Sequence, residues 1–250
     1  MSIKIKTAED IEKMRTAGKI LADILEDLKT MIKPGISTGD INRRAEVLCK
    51  QNQVIPAFKN YHGFPASVCT GIDDVAVHGI PTDSEILAAG QIISVDMGVV
   101  FQDFFSDSAF TAGVGKIDEQ AESLLNITQL ALQAAISKAI PGNHIGDIGA
   151  AIEAVASLAG FSVIVDMTGH GIGRALHEDP SIPCFGTAGR GAKISAGMTF
   201  AIEPMINEGT SELIILDDNW TTKTADGGRS AIFEHTILVS KNQPEILTKK

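Results

Sequence analysis

Two segments of the chain, residues 33–41 and 140–148, repeat the same pattern, and this repeat constrains the fold more than any other feature. Their Pro, Gly, Gly, Asp and Ile residues coincide after a shift of 107 residues (141 − 34 = 107). The same shift moves Asp96, at the end of Ile-Ser-Val-Asp, onto Glu203, at the end of Phe-Ala-Ile-Glu. We interpret the repeat as an internal duplication that forms one pseudo-symmetric domain. A chance match of short segments is the alternative.

The order of secondary structure elements follows from apolar periodicity and turn residues. Thr7 is a candidate N-cap for a first amphipathic helix, which Pro34-Gly35 ends. The remaining pattern predicts a second helix (about 39–51), a strand-rich stretch (about 54–115), two further helices (about 118–140 and 145–158) and a final part of strands and loops. No low-complexity linker separates the halves. We therefore expect one α+β (mixed α/β) domain over residues 1–250, with halves of about 1–115 and 116–250.

Composition excludes several classes of function. Lys and Arg total 21 against 31 Asp and Glu, so the net charge of −10 argues against nucleic-acid binding as the main task. The three cysteines are far apart and odd in number, which indicates a reducing compartment rather than a disulfide framework. No run approaches about 18 apolar residues, and the N-terminal segment has no apolar signal core. A cytoplasmic protein without a membrane partner is the expectation.

A buried β-hairpin that carries two carboxylates is predicted in the first half. Ile92–Phe101 is apolar and β-branched, residues 102–103 can form a two-residue turn, and Phe104–Thr111 returns as the partner strand. Asp96 and Asp107 then lie on one face as diagonal neighbours, about 7–8 Å apart between backbones. Two such carboxylates repel each other and lose hydration, and a divalent cation compensates both. An Asp at a solvated strand end is the alternative.

The second half adds further candidate ligands. His170 and His177 lie in a glycine-rich loop, while Glu203 and Glu234 each interrupt an apolar strand. An unpaired buried charge costs several kcal/mol, so each Glu is expected to bind a metal or form a buried salt bridge. Carboxylates with one imidazole suit Mn, Fe, Co or Zn, and the carboxylates exceed what one ion needs. The pattern therefore favours two ions and a hydrolytic reaction.

Competing motifs are weaker. Gly35-Ile-Ser37-Thr-Gly39 matches the nucleophile pattern Gly-x-Ser-x-Gly, but it lies between two helices, where Ser37 or Thr38 is better explained as a helix cap. No Gly-Lys-Ser/Thr follows the glycine-rich loop, so it is not a phosphate-binding loop. Cys69 is a nucleophile candidate by residue type alone, and a small apolar wall residue is the preferred interpretation.

Taken together, these segments resemble the type I methionine aminopeptidases, a family with the "pita-bread" metallopeptidase fold. The resemblance covers about residues 3–245 and rests on Tyr61–Cys69, Val77–Pro81, Ser94–Asp96, Ser106–Ser108, Gly169–Glu178, Phe200–Met205 and Glu234–Thr236. It implies two pseudo-two-fold, duplicated half-domains with a central antiparallel sheet covered by helices. It also implies removal of an N-terminal methionine from nascent proteins when the second residue is small.

The resemblance further implies roles for individual residues. Asp96 would bind one metal ion, His170 and Glu203 the other, and Asp107 and Glu234 both. Glu203 would also shuttle the proton. His78 and His177 would contact the scissile peptide and stabilise the developing oxyanion. The pocket for the first side chain would include Phe58, Tyr61, Phe64, Cys69, Leu176 and Trp220.

Three positions depart from the family pattern. Ser106 precedes Asp107 where glycine is usual, Leu176 stands where bacterial relatives often have Phe, and Phe58 replaces a frequent Cys. The expected partners are peptide and nascent-chain N-termini, with the ribosome as a candidate location, and the expected state is a monomer. An Xaa-Pro aminopeptidase or dipeptidase of the same fold and a non-catalytic binding protein are the rival hypotheses.

Overall fold

The computed structural model describes residues 3–250. Its helices lie where the periodicity predicts them: α1 (Ala8–Thr30), α2 (Thr38–Gln51), α3 (Glu119–Lys138) and α4 (Ile145–Leu158). Thr7 caps α1, since its side chain accepts a hydrogen bond from the Asp10 amide. Ser37 caps α2 in the same way, which confirms its interpretation as a helix cap rather than a nucleophile. A short 3₁₀ turn at Tyr61–Gly63 was not predicted.

Short strands account for most of the remaining structure. The first half contains β1 (Ile55–Pro56), β2 (Cys69–Ile72), β3 (Val75–Val77), β4 (Ile92–Phe101) and β5 (Phe104–Gly113). The second half contains β6 (Ser162–Val163), β7 (Thr168–Gly171), β8 (Glu178–Pro183), β9 (Thr199–Ile202), β10 (Met205–Asn207), β11 (Leu213–Ile215), β12 (Thr222–Thr224), β13 (Ser230–Ile232), β14 (His235–Leu238) and β15 (Glu245–Ile246). The mixed α/β expectation is confirmed.

Two antiparallel sheets carry the residues of interest. In the first, β4 pairs with β5 along one edge and with β1 and β2 along the other. In the second, the order is β15-β14-β9-β7-β8. The sheets meet where β5 lies beside β14: the Glu234 amide donates to the Ala109 carbonyl at 3.0 Å, and the Asp107 amide donates to Oγ1 of Thr236 at 2.9 Å. Residues from both halves therefore come together at this junction.

The β4–β5 hairpin has the predicted register. Asp96 pairs with Ala109, and Asp107 pairs with Gly98, so both carboxylates project from the same face. The turn residues Gln102 and Asp103 have φ angles of 47° and 66°, as a tight two-residue hairpin turn requires.

Backbone hydrogen bonds repeat with the sequence. The Gly35 amide donates to the Leu87 carbonyl at 2.9 Å, and 107 residues later the Gly142 amide donates to the Ile194 carbonyl at 3.0 Å. The bridge between Ser37 and Ile86 recurs between His144 and Lys193. Each segment thus holds the start of a helix against a later extended segment of its own half, as a duplication predicts.

One large apolar cluster joins the halves. It runs from Ala17 of α1 to Val239 after β14 and includes residues of all four helices. The single-domain organisation stays a prediction. A second, smaller cluster contains Phe58, Phe64 and Leu176 and forms the wall of a cavity. Within residues 3–250, no helix is long and apolar enough to cross a membrane.

Candidate metal centre and adjoining pocket

A cavity of about 410 Å³ lies at the junction of the two sheets, and all the predicted ligands line it. Asp96 projects from β4 and Asp107 from β5. His170 projects from β7, Glu203 follows the last residue of β9, and Glu234 precedes the first residue of β14. Each half therefore contributes two carboxylates, from the β4–β5 hairpin in the first half and from residues next to β9 and β14 in the second, and Asp96 and Glu203 meet as the repeat predicts.

The acidic side chains and the imidazole are close but not hydrogen-bonded to one another. Nε2 of His170 lies 3.7 Å from Oε1 of Glu203 and 4.0 Å from Oδ2 of Asp107. Ligand atoms of Asp107, His170 and Glu234 all lie within 4.8 Å of one another. This spacing exceeds a hydrogen bond and suits donor atoms that share a cation between them.

The donor set fits divalent cations. Oδ1 of Asp96 and Oε1 of Glu234 are buried and have no hydrogen-bond partner. Within the described part of the chain, no Lys or Arg forms an ion pair with any of these carboxylates, so the salt-bridge alternative lacks a partner. Buried carboxylates without compensation are strongly unfavourable, and oxygen atoms with one imidazole nitrogen suit Mn, Fe, Co or Zn.

Burial shapes the electrostatics of the cluster. It raises the pKa of Asp107 to about 7. Burial also raises the pKa values of Asp96, Glu203 and Glu234 well above their usual range, with repulsion from the neighbouring carboxylates as the second cause. A cluster that resists ionisation in this way is stabilised by positive charge between its members.

The ring of His170 has an orientation that suits metal ligation. Burial lowers its pKa to about 4, so the ring is neutral at pH 7. Its Nδ1 lies 2.9 Å from the Gly171 carbonyl oxygen, which can only accept a hydrogen bond, so Nδ1 carries the proton. The lone pair of Nε2 therefore faces the carboxylates, as metal ligation requires.

The other two predicted histidines lie at the cavity beside this cluster. His78 follows β3 and has a φ of 58°, a left-handed conformation that is unusual for a side chain of this size. His177 packs edge-on against His170 with ring centroids 4.3 Å apart. Burial lowers the pKa of both His78 and His177, which favours neutral rings that offer an N–H donor.

The predicted pocket residues line the same cavity: Phe58, Tyr61, Phe64, Cys69, Leu176 and Trp220. Phe64 and Trp220 stack edge-on with centroids 5.2 Å apart. Cys69 pairs with Asp96 in the sheet. Burial raises the pKa of Cys69 well above its ordinary value, followed by repulsion from Asp96. An un-ionised thiol of this kind supports a wall role rather than a nucleophilic one.

Comparison with known proteins identifies the family. The model of metallopeptidase family M24 matches residues 12–241. The chain belongs to metallopeptidase family M24. Among its relatives, the methionine aminopeptidase of Clostridium perfringens is 46% identical over 246 residues, which cover 98% of each chain. Methionine aminopeptidase A of Synechocystis is 46% identical over 247 residues, covering 99% of this chain and 98% of the relative.

Solved structures agree with the M24 assignment. The crystal structure of the Thermotoga maritima methionine aminopeptidase superposes with a TM-score of 0.98 at 42% identity, covering all of both chains. The Pyrococcus furiosus prolidase superposes with a TM-score of 0.77 at 23% identity, covering 98% of this chain and 65% of the prolidase. The prolidase likeness concerns the fold alone, and together these matches confirm the predicted pita-bread architecture.

The three departures from the family pattern replace none of the candidate ligands. Ser106 is fully buried, and its hydroxyl lies 3.5 Å from Oγ1 of Thr236. Because neighbouring strand residues face opposite ways, Ser106 points away from the side of β5 that carries Asp107. Phe58 and Leu176 do line the cavity, so these two departures change the shape of the cavity.

Six further residues line the cavity but were not predicted from the sequence: His62, Val77, Asp166, Met167, Thr168 and Met205. His62, Val77 and Met205 lie within the segments that carry the family resemblance, but no role was predicted for them. The place of all six in the cavity depends on how distant parts of the chain meet. Thr236 was also missed as a support for Asp107. Its hydroxyl donates to the Asp107 carbonyl at 2.8 Å while accepting from the Asp107 amide.

Proposed function

We propose that this chain is a methionine aminopeptidase, which hydrolyses the first peptide bond of a chain that begins with methionine followed by a small residue. The observation that carries the proposal is one cavity whose floor is a buried carboxylate–imidazole cluster and whose walls are aromatic, aliphatic and thiol side chains. Relatives named for this activity are 42–46% identical to the chain over nearly its full length, which supports the same substrate class.

In this proposal the cluster holds two divalent ions, with Mn, Fe, Co and Zn as candidates. Asp96, Asp107, His170, Glu203 and Glu234 would hold these ions. Polarisation of the peptide carbonyl and activation of water at neutral pH are the chemistry that such ions supply when bound. The excess of carboxylates over the needs of one ion supports a count of two.

Glu203 is the proposed proton carrier. Its carboxylate would take a proton from the attacking water and deliver it to the nitrogen of the departing amine. The raised pKa of Glu203, caused first by burial and then by Asp96 and Asp107, favours a group that holds a proton between these steps. His78 and His177 would each offer an N–H to the carbonyl oxygen as negative charge develops there.

The remaining cavity residues would select the first side chain. Phe58, Phe64 and Leu176 are buried and offer apolar contacts to an unbranched thioether. The preference for a small second residue follows from the family relationship. We further propose nascent-chain N-termini as substrates, with the ribosome as a place of action, and a monomeric protein in the cytoplasm. The three free cysteines, all buried, support a reducing compartment.

The decisive experiment combines metal analysis with a peptide assay. Freshly purified protein is analysed for bound metals, stripped with EDTA and reloaded separately with Mn²⁺, Fe²⁺, Co²⁺ or Zn²⁺. We expect release of methionine from Met-Gly-Met and no cleavage of a Gly-Pro substrate. Cleavage of Gly-Pro alone would instead assign an Xaa-Pro peptidase, and inactivity with every metal would favour a binding protein.

Glu203→Gln tests the proton carrier. Gln keeps the shape of the side chain but cannot accept the proton, so we expect kcat to fall by at least about 100-fold while the circular dichroism spectrum is unchanged. Near-normal turnover by this variant would remove Glu203 from the proposed role.

A further inference from the structure

The loop that carries His177 is held from outside the cavity by a buried ion pair. Nζ of Lys6 lies 2.6 Å from Oε2 of Glu178, and the two side chains expose only 6% and 10% of their surface. Lys6 belongs to the segment before α1, 172 residues away from Glu178 in sequence. Lys and Glu are rarely buried to this extent unless they are paired.

Glu178 uses its two carboxylate oxygens for different contacts. Oε2 accepts the hydrogen bond from Lys6, while Oε1 accepts from the backbone amides of Arg174 and Ala175 at 2.8 and 3.3 Å. The carboxylate therefore closes a loop from residue 174 back to residue 178. His177 lies inside this loop, directly before Glu178, so the position of its backbone depends on these bonds.

The pair is packed tightly against the loop. A Cβ on Gly173 would lie 2.5 Å from Cε of Lys6 and 2.8 Å from Oε1 of Glu178, so a larger residue here would displace the side chains of the pair. The backbone of Lys6 is itself anchored, because its amide donates to the Gly197 carbonyl at 2.8 Å. Lys6 is thus a fixed point against which the loop is held.

Lys6 also determines the charge state of its partner. Burial by itself would raise the pKa of Glu178, but the hydrogen bond and positive charge of Lys6, followed by the amides of Ala175 and Arg174, bring this pKa below the ordinary value. Without the ammonium group, the buried carboxylate would lose its compensation and would be driven to protonate or to turn towards water. Turning towards water takes the acceptor away from the amides of the loop, and protonation makes it weaker than the oxygen of a carboxylate or an amide.

We propose that Lys6 is a positioning residue for His177, acting through Glu178 to hold the 174–178 loop in the geometry that the cavity requires. The expected effect on kcat rests on the proposed function, whereas the expected effect on the 174–178 loop does not. The imidazole has a separate support, the Tyr61 hydroxyl at 2.8 Å from Nδ1. Lys6 therefore acts on the backbone of His177, and Tyr61 acts on its ring.

Kinetics of three variants test the proposal. Lys6→Met nearly keeps the length of the side chain but removes its charge. We expect kcat to fall roughly 10- to 100-fold with little change in KM, because His177 is displaced from the reacting carbonyl. Adding Glu178→Gln keeps an acceptor for the loop amides without a buried charge, and should restore kcat to within about threefold of wild type. Lys250→Met, which removes an exposed pair with Asp23 at 3.1 Å, is the matched control and should change nothing.

Amide hydrogen exchange in the metal-free protein gives a readout that does not depend on activity. Peptides that contain residues 174–177 should exchange faster in Lys6→Met and return to the wild-type rate in the double variant. Lower thermal stability of Lys6→Met with unchanged kcat and unchanged local exchange would overturn the proposal. The double variant has no charge at position 6 or 178, so it remains decisive if Lys6→Met does not fold. Slow turnover in the double variant also overturns the proposal. If Lys6→Met exchanges faster than wild type in this loop but the wild type cleaves no peptide, the proposed function is refuted and the positioning role remains.

Discussion

Replacing Asp107 with Asn should make the metal-free protein more stable, although the substitution damages a proposed metal ligand. Asp107 is buried beside three other carboxylates, and burial raises its pKa from 3.8 to about 7. Asn has nearly the same shape and retains an acceptor for the Ser108 amide, which lies 3.1 Å from Oδ1. The variant therefore removes the free-energy cost of ionising the buried carboxyl of Asp107 and changes little else in the folded protein.

The size and pH dependence of the effect follow from the pKa difference. At 1.36 kcal/mol per unit, a rise from 3.8 to about 7 corresponds to about 4 kcal/mol of unfolding free energy. The pKa of Asp107 is higher in the folded protein than in the unfolded chain. The wild type is therefore most stable below pH 3.8, where Asp107 is protonated in both states, and it loses this stability as the pH rises through about 7. The gain from Asn should be small near pH 4 and level off at about 4 kcal/mol above pH 7.

Urea unfolding in EDTA at several pH values measures this gain. Asp103→Asn, in the exposed turn of the same hairpin, is the matched control and should leave stability unchanged. With Mn²⁺ at 100 times its dissociation constant, the wild type should gain about 2.7 kcal/mol, and Asp107→Asn should gain less. If metal-free Asp107→Asn is no more stable than wild type at pH 8, or if its gain does not grow with pH, the reasoning about buried charge at this site is wrong.

Three further predictions concern other parts of the molecule. Tyr61→Phe removes the hydrogen bond to His177 and should lower kcat about fivefold with little change in KM, since such a bond contributes about 1 kcal/mol; unchanged kinetics would contradict it. Burial raises the pKa of Cys49 and Cys184 to about 12, so only about one thiol in 10,000 is ionised at pH 8 and both should react with a thiol reagent only after unfolding. Gly146→Ala would bring a Cβ within 2.3 Å of a backbone carbonyl oxygen, and should lower the free energy of unfolding by about 2 kcal/mol in urea titrations; a neutral result would mean that this helix start is not tightly packed.

Much of the site could be predicted from sequence because its key elements are local or repeated. Side chains alternate across a strand, so the short turn at residues 102–103 was enough to place Asp96 and Asp107 on one face. The repeat then linked Asp96 to Glu203, and the same backbone bonds recur in both halves. A carboxylate within an apolar strand is a strong signal by itself, because burial of an unpaired charge is so unfavourable.

What could not be predicted depends on contacts between segments that are distant in sequence. Only the tertiary structure shows that β5 and β14 lie side by side, which brings Asp107 and Glu234 into one cluster. The Tyr61–His177 bond joins residues 116 positions apart, and the Lys6–Glu178 pair joins residues 172 positions apart. Alternation and helical periodicity describe which face of an element is buried, but they carry no information about which other element covers that face. The packing of the two halves determines which elements contact each other, and thereby how His177 is held.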